Sequence, residues 1–418
     1  MSKGKCLLIA TVLLAVLWGG EPQWALAARP PAGVPNIPGL RTIRTEHYNI
    51  RTDLDDALAD RMAQLLEGMF GEYSHRLADF QENTQYRTMS VYLFQKKDDY
   101  LRLTGPEAKN TGGLFCPAPG DASYLAAYLE GQGRDEMRQT IQHEAFHQFA
   151  HDAISHNLPI WLNEGIAQVF QEGLWVGDQF VLGQVPPARL RQLKADIAAD
   201  RTVDFQKLMS LSAEEWAKNL SDNAARGTTQ YNQAWAMVHF LIQANDGMFR
   251  PRLINLLKLM HEGKDGDTAW RAAFSPNYAG FQAKFTEWAG DLSATPEAVM
   301  IDRQGVLGDM LMSVTNQGLK VNSMQMFQQA LTRSDYQLEY TNPITPDLKW
   351  KSDPNVRTYF SNTDGQVLNP RQLYFEANPA APLPDVVCRI NERIELRTTF
   401  YKLNGRTRHE MKIAAIQN

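Results

Sequence analysis

The chain has few cysteines, no excess of basic residues and no biased tracts, so it lacks the features that would place it in several specialised classes of protein. It has three cysteines among 418 residues, too few for a small domain held together by disulfides. Its 42 lysines and arginines face 47 aspartates and glutamates, so the formal charge of −5 provides no basic surface for nucleic acid. Repeated and biased tracts are absent, and 44% of the residues are apolar, enough for a sizeable core. These features indicate an ordinary globular protein with room for two or three domains.

Long apolar runs are also absent, apart from one near the N-terminus. Two lysines precede an apolar run over residues 6–18, and Ala25 and Ala27 are small residues suited to cleavage. The run is shorter than the roughly 20 residues that a membrane-spanning helix needs. We therefore predict a signal peptide over residues 1–27, an exported protein in the periplasm or outside the cell, and no stable membrane span after cleavage. An uncleaved membrane anchor is the alternative.

Removal of the signal peptide would leave two of the cysteines, Cys116 and Cys388. The predicted compartment permits disulfides, so a bridge between these two residues is one possibility. Two buried free thiols are the other, and the sequence does not decide between them.

The rest of the chain changes character along its length and predicts an α+β fold. A proline-rich extended leader over residues 28–45 is followed by a small mixed sheet with a helix over residues 46–130. Residues 131–292 show mainly helical periodicity. Residues 293–418 begin as a weakly patterned linker and end in a strand-rich section, where Asn404-Gly405 between two alternating runs predicts a type I′ hairpin.

The most informative stretch is an HExxH pattern on a predicted helix. It is formed by His143, Glu144 and His147, and four of the nine histidines lie between residues 143 and 156. Residues four apart share one helix face, so both imidazoles can reach a single metal ion, while Glu144 can contact a water bound to that ion. Zinc lowers the pKa of such a water, and the carboxylate takes its proton. The pattern predicts one catalytic Zn²⁺ ion, with Glu144 as the base.

A catalytic zinc site needs a third protein ligand, for which several nearby residues are candidates. His151 lies two turns from His143, about 12 Å along the helix, so one ion cannot bind both. His156 and Asp152 are further candidates. Glu164 is preferred, because it stands at the start of a second predicted helix after a loop long enough to reverse the chain.

The segment around Glu164 carries a resemblance to a known family. Trp161–Ala167 reads WLNEGIA, which resembles the third-ligand motif of the aminopeptidase N family, and HExxH followed by a glutamate on a helix resembles the gluzincin clan. The compact length is more similar to secreted bacterial proteins with a peptidase-MA-like domain, most of them uncharacterised. The resemblance implies a zincin-type catalytic domain with His143, His147 and Glu164 as ligands. It also implies close helix packing at Gly165.

The resemblance extends to Tyr231 and fails at two other positions. Gluzincins of the aminopeptidase type place a tyrosine near this point, which implies that Tyr231 donates to the developing oxyanion; a tyrosine that simply packs on Trp235 is the alternative. Gln168 stands where thermolysin-like relatives often have an aspartate that supports a histidine ligand, which leaves that support in doubt. Residues 112–116 read GGLFC, without the glutamate that holds a free amino terminus in aminopeptidases.

These features predict an exported zinc metallopeptidase that hydrolyses peptide bonds internally in a peptide or protein substrate. A strand near residues 112–116 could pair with the extended substrate through its backbone. Two alternatives remain: a cell-envelope binding or scaffolding module that keeps the fold without turnover, and a zinc amidase acting on cell-wall material. The sequence does not define the oligomeric state.

Overall fold

The computed structural model describes residues 9–10, 37–83, 88–118, 123–222, 224–333, 336–341 and 349–416. Apart from Ile9–Ala10, the predicted signal peptide lies outside the described residues, and so does the leader up to residue 36. The chain divides into two compact units. The first comprises residues 1–132, 136–172 and 191–292, and the second comprises residues 133–135, 173–190 and 293–418.

The first unit contains a mixed sheet. Its strands are β1 (Ile9–Ala10), β2 (Arg41–Arg44), β3 (Tyr48–Thr52), β4 (Met89–Phe94), β5 (Gly113–Cys116) and β6 (Tyr124–Tyr128). They lie in the order β1-β5-β6-β4-β3-β2. The pairs β3–β4 and β4–β6 are parallel and the other pairs are antiparallel. The predicted mixed sheet is therefore confirmed, but it begins earlier than expected, because β2 lies within the stretch that the sequence suggested was an extended leader.

Helices dominate the chain from residue 134 to residue 291. Among the described residues, two α-helices precede this stretch, α1 (Asp56–Arg76) and α2 (Lys97–Thr104). The helices within it are α3 (Arg134–Ala153), α4 (Ile160–Gln171), α5 (Pro187–Ala198), α6 (Phe205–Ser210), α7 (Ala213–Asp222), α8 (Ala224–Gly247), α9 (Arg250–His261), α10 (Gly266–Ala273) and α11 (Tyr278–Asp291). Within α8 the backbone of residues 244–246 is not helical.

The sheet supports α3 through close backbone approach and side-chain hydrogen bonds. A Cβ atom on Gly113 of β5 would lie 2.6 Å from Cγ2 of Thr140 on α3, so only glycine allows this approach. Nε2 of Gln148 donates to the carbonyl oxygen of Ser90 on β4 at 3.2 Å. The helix with the HExxH pattern is thus fixed against one face of the sheet.

The second unit joins helices to antiparallel strands. Its elements are β7 (Leu174–Val176), β8 (Gln179–Val181), α12 (Pro296–Asn316), α13 (Met324–Arg333), β9 (Glu339–Thr341), β10 (Lys349–Lys351), β11 (Leu373–Glu376), β12 (Asp385–Arg389), β13 (Ile394–Leu403) and β14 (Arg406–Ala415). Strands β11 to β14 form one sheet in that order. Leu307 and Met310 of α12 share a core with Leu396 and Phe400 of β13. The first part of the expected linker is therefore helical, because its apolar residues pack on this sheet.

The predicted hairpin between β13 and β14 is confirmed. Leu403 pairs with Arg406 across a two-residue turn. Asn404 and Gly405 both have positive φ, 50° and 76°, as a type I′ turn requires. The α+β class, with its strand-rich C-terminal section, is confirmed as well.

Two further predictions concern the possible disulfide bridge and the absence of a membrane span. Cys388 is a buried free thiol on β12, so the possible bridge from Cys116 to Cys388 is not formed. Burial raises the pKa of the Cys388 thiol to about 12. Among the residues that the structure describes, none of the helices combines the length and the apolar character that crossing a membrane requires.

Candidate metal centre

Helix α3 brings the HExxH residues into the interior of the first unit. His143 and His147 are each 1% exposed, and Glu144 is completely buried. The two imidazole rings lie one helical turn apart, with 4.6 Å between their centroids. The spacing of four residues thus places both rings on one buried face, as the sequence predicts.

Helix α4 carries Glu164 to the same place. All twelve residues of this helix are buried, so α4 is a central element of the unit. Oε2 of Glu164 lies 3.2 Å from Nε2 of His143, and Oε1 lies 3.7 Å from Nε2 of His147. The donor atoms of the three residues all lie within 4.8 Å of one another. Among the described residues, this is the one group of three or more such side chains that could hold a metal ion.

The chemistry of these atoms fits a cation. Nε2 of His147 and both carboxylate oxygens of Glu164 are buried and make no hydrogen bond to any described residue. Burial lowers the pKa of His147 to about 4. Burial also raises the pKa of Glu164 to about 7, although His147 partly opposes this shift. A bound cation would coordinate these atoms and favour the ionised carboxylate, so the three residues could bind a metal ion.

Two amide side chains of α4 orient the imidazole rings. Nδ1 of His143 lies 2.9 Å from Oε1 of Gln171, and Nδ1 of His147 lies 3.0 Å from Oδ1 of Asn163. Since an amide oxygen only accepts, each Nδ1 carries the proton and each Nε2 presents a lone pair. This is the tautomer that a histidine ligand coordinating through Nε2 needs.

Gln168 donates two hydrogen bonds to backbone carbonyl groups near the site. Its Nε2 donates to the carbonyl oxygens of Glu164 at 3.2 Å and Tyr231 at 3.1 Å, so it links α4 to α8. Gln171, one turn further along, supports His143 instead. Sequence reasoning missed Gln171 and Asn163. The available signals were that Asn163 precedes Glu164 in the motif and that Gln171 stands seven residues after Glu164, on the same helix face.

Gln142 aligns α3 with the end of α4. Its side-chain Nε2 donates to the carbonyl oxygen of Phe170 at 2.9 Å and to that of Gln171 at 3.3 Å. Its own carbonyl oxygen accepts from the Tyr73 hydroxyl of α1 at 2.5 Å. Because Gln142 is next to His143, these bonds set the position of the first histidine relative to the helix that carries Glu164.

Close packing of α4 on α8 depends on Gly165, as the resemblance implies. A Cβ atom on Gly165 would lie 2.5 Å from Cγ2 of Val238 and 2.6 Å from the carbonyl oxygen of Ala234. No other residue fits without a shift of the backbone. The contact brings α8, and with it Tyr231, next to the candidate ligand Glu164.

Tyr231 lies inside α8 and is buried beside the group. Burial raises the pKa of Tyr231 well above its usual value of 10, and the negative charges of Glu164 and Glu144 raise it further. Its ring contacts that of Trp216 edge to face, with 5.0 Å between centroids. The phenol therefore keeps its proton at neutral pH and lies within electrostatic range of both carboxylates.

The other histidines of the cluster lie apart from the three candidate ligands. Nδ1 of His151 is 3.0 Å from Oδ1 of Asp152, and Nε2 of His151 is 3.0 Å from Nδ1 of His156. The His151 ring also contacts Phe115 of β5. None of His151, Asp152 and His156 belongs to the candidate group, in line with the choice of Glu164.

Fold and site together define an α+β protein with a buried group of two histidines and one glutamate that could bind a metal ion. Residues 138–257 match the model of a family described as a protein of unknown function (DUF1570). The matched segment includes all three candidate ligands, Glu144 and Tyr231. No curated protein matches the chain.

Proposed function

We propose that the protein is an exported zinc metallopeptidase that hydrolyses peptide bonds within a peptide or protein substrate. The observation that carries this proposal is the group of His143, His147 and Glu164, with Glu144 beside the first ligand. The order of the motifs on two helices, HExxH and then NEG, supports a gluzincin type and a likeness to peptidase-MA-like proteins.

Zinc is the proposed ion because the donor set suits it. Two imidazole nitrogens and one carboxylate oxygen are typical of catalytic zinc sites, which keep a fourth position open. The Nδ1 contacts of both histidines with amide oxygens support coordination through Nε2. We expect one Zn²⁺ ion in each chain.

The proposed reaction is the addition of water to a peptide carbonyl group. Zinc, when bound, would lower the pKa of the attacking water and polarise the carbonyl group. Glu144 would accept the proton of the water and pass it to the leaving amine nitrogen. Tyr231 would donate a hydrogen bond to the carbonyl oxygen as negative charge develops there. Its raised pKa supports this role, because a donor must keep its proton.

Strand β5 is the proposed binding edge for an extended substrate. Its residues Gly113 and Phe115 lie near Thr140 and His151 of α3, so this strand follows the helix that carries the site. β1, which belongs to the predicted signal peptide, pairs antiparallel with β5. Removal of the signal peptide would free this edge for a substrate strand. The absence of an acid in β5 supports internal cleavage over removal of N-terminal residues.

The test combines metal analysis with hydrolysis. We expect about one zinc per chain and cleavage of a peptide library by the wild type. Glu144→Gln should abolish cleavage and keep the zinc, because it removes the base and no ligand. Glu136→Gln is the matched control, an exposed acid on the same helix, and should behave as the wild type. A wild type without stoichiometric zinc would refute the proposal.

The burial of the site favours a second candidate, a non-catalytic envelope module. Glu144 and Glu164 have no exposed surface, so a substrate could reach them only after a local opening. For such a module we expect a zinc-loaded wild type that leaves unfolded casein, peptide libraries and muropeptides intact. Cleavage of muropeptides alone would instead indicate a zinc amidase that acts on cell-wall material.

A further inference from the structure

A second pair of histidines lies at the C-terminal end of α3. Nε2 of His151 lies 3.0 Å from Nδ1 of His156, and the centroids of the two rings are 4.1 Å apart. Because the nitrogens are closer together than the centroids, the rings lean toward each other on the side of these two atoms. Two nitrogens that bind one zinc ion in tetrahedral directions lie about 3.3 Å apart. The pair therefore has nearly the spacing that two imidazole ligands of one ion need.

The turn that ends α3 brings His156 back to His151. The backbone N–H groups of Ile154 and Ser155 both donate to the carbonyl oxygen of Ala150, at 2.9 and 3.0 Å. These bonds close the helix and reverse the chain directly before His156. The pair is thus built by the backbone of the helix end.

Two contacts fix the ring of His151. Nδ1 lies 3.0 Å from Oδ1 of Asp152, and the ring of Phe115 on β5 meets that of His151 with 5.4 Å between centroids. Since the carboxylate accepts, Nδ1 carries the proton and Nε2 presents a lone pair to His156. A carboxylate behind an imidazole is the support that metal-ligating histidines commonly have.

We propose that His151 and His156 form a second site for a divalent ion of the class that imidazole binds, such as Zn²⁺, Ni²⁺ or Cu²⁺. His151 would coordinate through Nε2. The exposed His156 would coordinate through Nδ1 and carry its proton on Nε2, and water would fill the remaining positions. The charge of Asp152 and the partial negative charge at the C-terminal end of α3 favour a cation here.

This second site would be weaker than the buried centre of His143, His147 and Glu164. It has two protein ligands in place of three, and His156 is open to water. Dialysis against a weak chelator should therefore empty the second site and leave the first ion bound. The inference does not depend on peptide hydrolysis.

Titration calorimetry with Zn²⁺ tests the second site. The starting protein is the wild type after that dialysis, and we expect it to bind one further equivalent. His151→Ala and His156→Ala should each lose this equivalent and keep the first ion, and Asp152→Ala should weaken it by about 10- to 100-fold. His75→Ala is the matched control, since His75 is an exposed histidine in the last turn of α1, and should bind as the wild type does. A wild type that binds no further equivalent, or a further equivalent that both His151→Ala and His156→Ala retain, would overturn the inference.

A second measurement identifies the nitrogens that bind. In protein labelled with ¹⁵N-histidine, zinc added beyond the first equivalent should shift the ring nitrogen resonances of His151 and His156, which their alanine variants identify by loss. The resonances of His75 should stay in place. Unmoved resonances of the pair would overturn the inference, wherever the added ion bound. A wild type that holds no zinc in the buried centre would refute the proposed function, and the same shifts, measured on that protein as zinc is added, would still decide this inference.

Discussion

Nδ1 of His143 lies 2.9 Å from Oε1 of Gln171, the last residue of α4. The same helix carries Glu164, so it provides both one candidate ligand and the support for another candidate ligand, His143 on α3. The supporting group is a neutral amide. A carboxylate in its place would add a third buried carboxylate to those of Glu144 and Glu164.

We expect Gln171→Leu to weaken metal binding by about 10- to 100-fold, because His143 loses the acceptor that fixes its ring. Competition with a chelator of known affinity measures this change. Gln171→Glu keeps an acceptor and should restore most of the affinity. Equal affinities for the wild type and the leucine variant would show that the contact does not orient the ligand.

Removal of a ligand should abolish stoichiometric binding. We expect Glu164→Gln and His147→Ala to lose the metal ion, because two remaining donors hold zinc weakly. His151→Ala, one turn after His147 on the same helix, is the control and should keep it. Metal analysis after dialysis against a weak chelator checks all three variants. Retention of a full equivalent by Glu164→Gln would exclude Glu164 as a ligand.

The close approach of α4 to α8 makes Gly165 sensitive to substitution. In Gly165→Ala the added carbon would meet Ala234 and Val238, and we expect a loss of about 1–3 kcal/mol in stability from overpacking. A urea titration followed by circular dichroism measures the change.

Gly71 of α1 is the matched control, since nothing lies within 4 Å of an added Cβ atom there. Gly71→Ala should stabilise the protein by about 0.5–1 kcal/mol, because alanine favours the helix. If Gly165→Ala stabilised the protein as Gly71→Ala should, then α4 and α8 could move apart without loss of stability, and the close approach at Gly165 would not be required.

The contact of His47 with Glu67 predicts a pH-dependent contribution to stability. Nδ1 of His47 lies 2.7 Å from Oε2 of Glu67, and the His47 backbone N–H donates to Oε1 at 2.8 Å. Burial raises the pKa of Glu67, but hydrogen bonds from Thr45 and His47 together lower it below its usual value of 4.5. The stabilisation is therefore present above that value and is lost as the pH falls through the lower pKa of the folded state.

Glu67→Gln should thus destabilise the protein at pH 6, and its difference from the wild type should shrink as the pH falls below about 4. Thermal unfolding at a series of pH values measures this difference. A difference that stayed constant down to pH 3 would mean that the charge of Glu67 contributes nothing.

The sequence predicted those parts of the molecule that depend on local spacing. HExxH placed two imidazoles on one helix face, and Asn404-Gly405 defined a turn from its own backbone preferences. Gln171 was missed because its partner, His143, lies on another helix, and only the packing of α3 on α4 brings the two together. The helix α12 was missed for a related reason. Its apolar residues follow no narrow stripe, because they contact several strands of the second unit.

His143, His147 and Glu164 have at most 1% of their surface exposed. An ion bound between them would leave only when the surrounding packing opens. Exchange of the metal would then proceed at the rate of that opening, and chelators of very different strength would remove the ion equally slowly once present in excess. A substrate would need an opening at the same place. The measured rate of metal release can therefore be compared with the rate of any turnover, which would require the same opening.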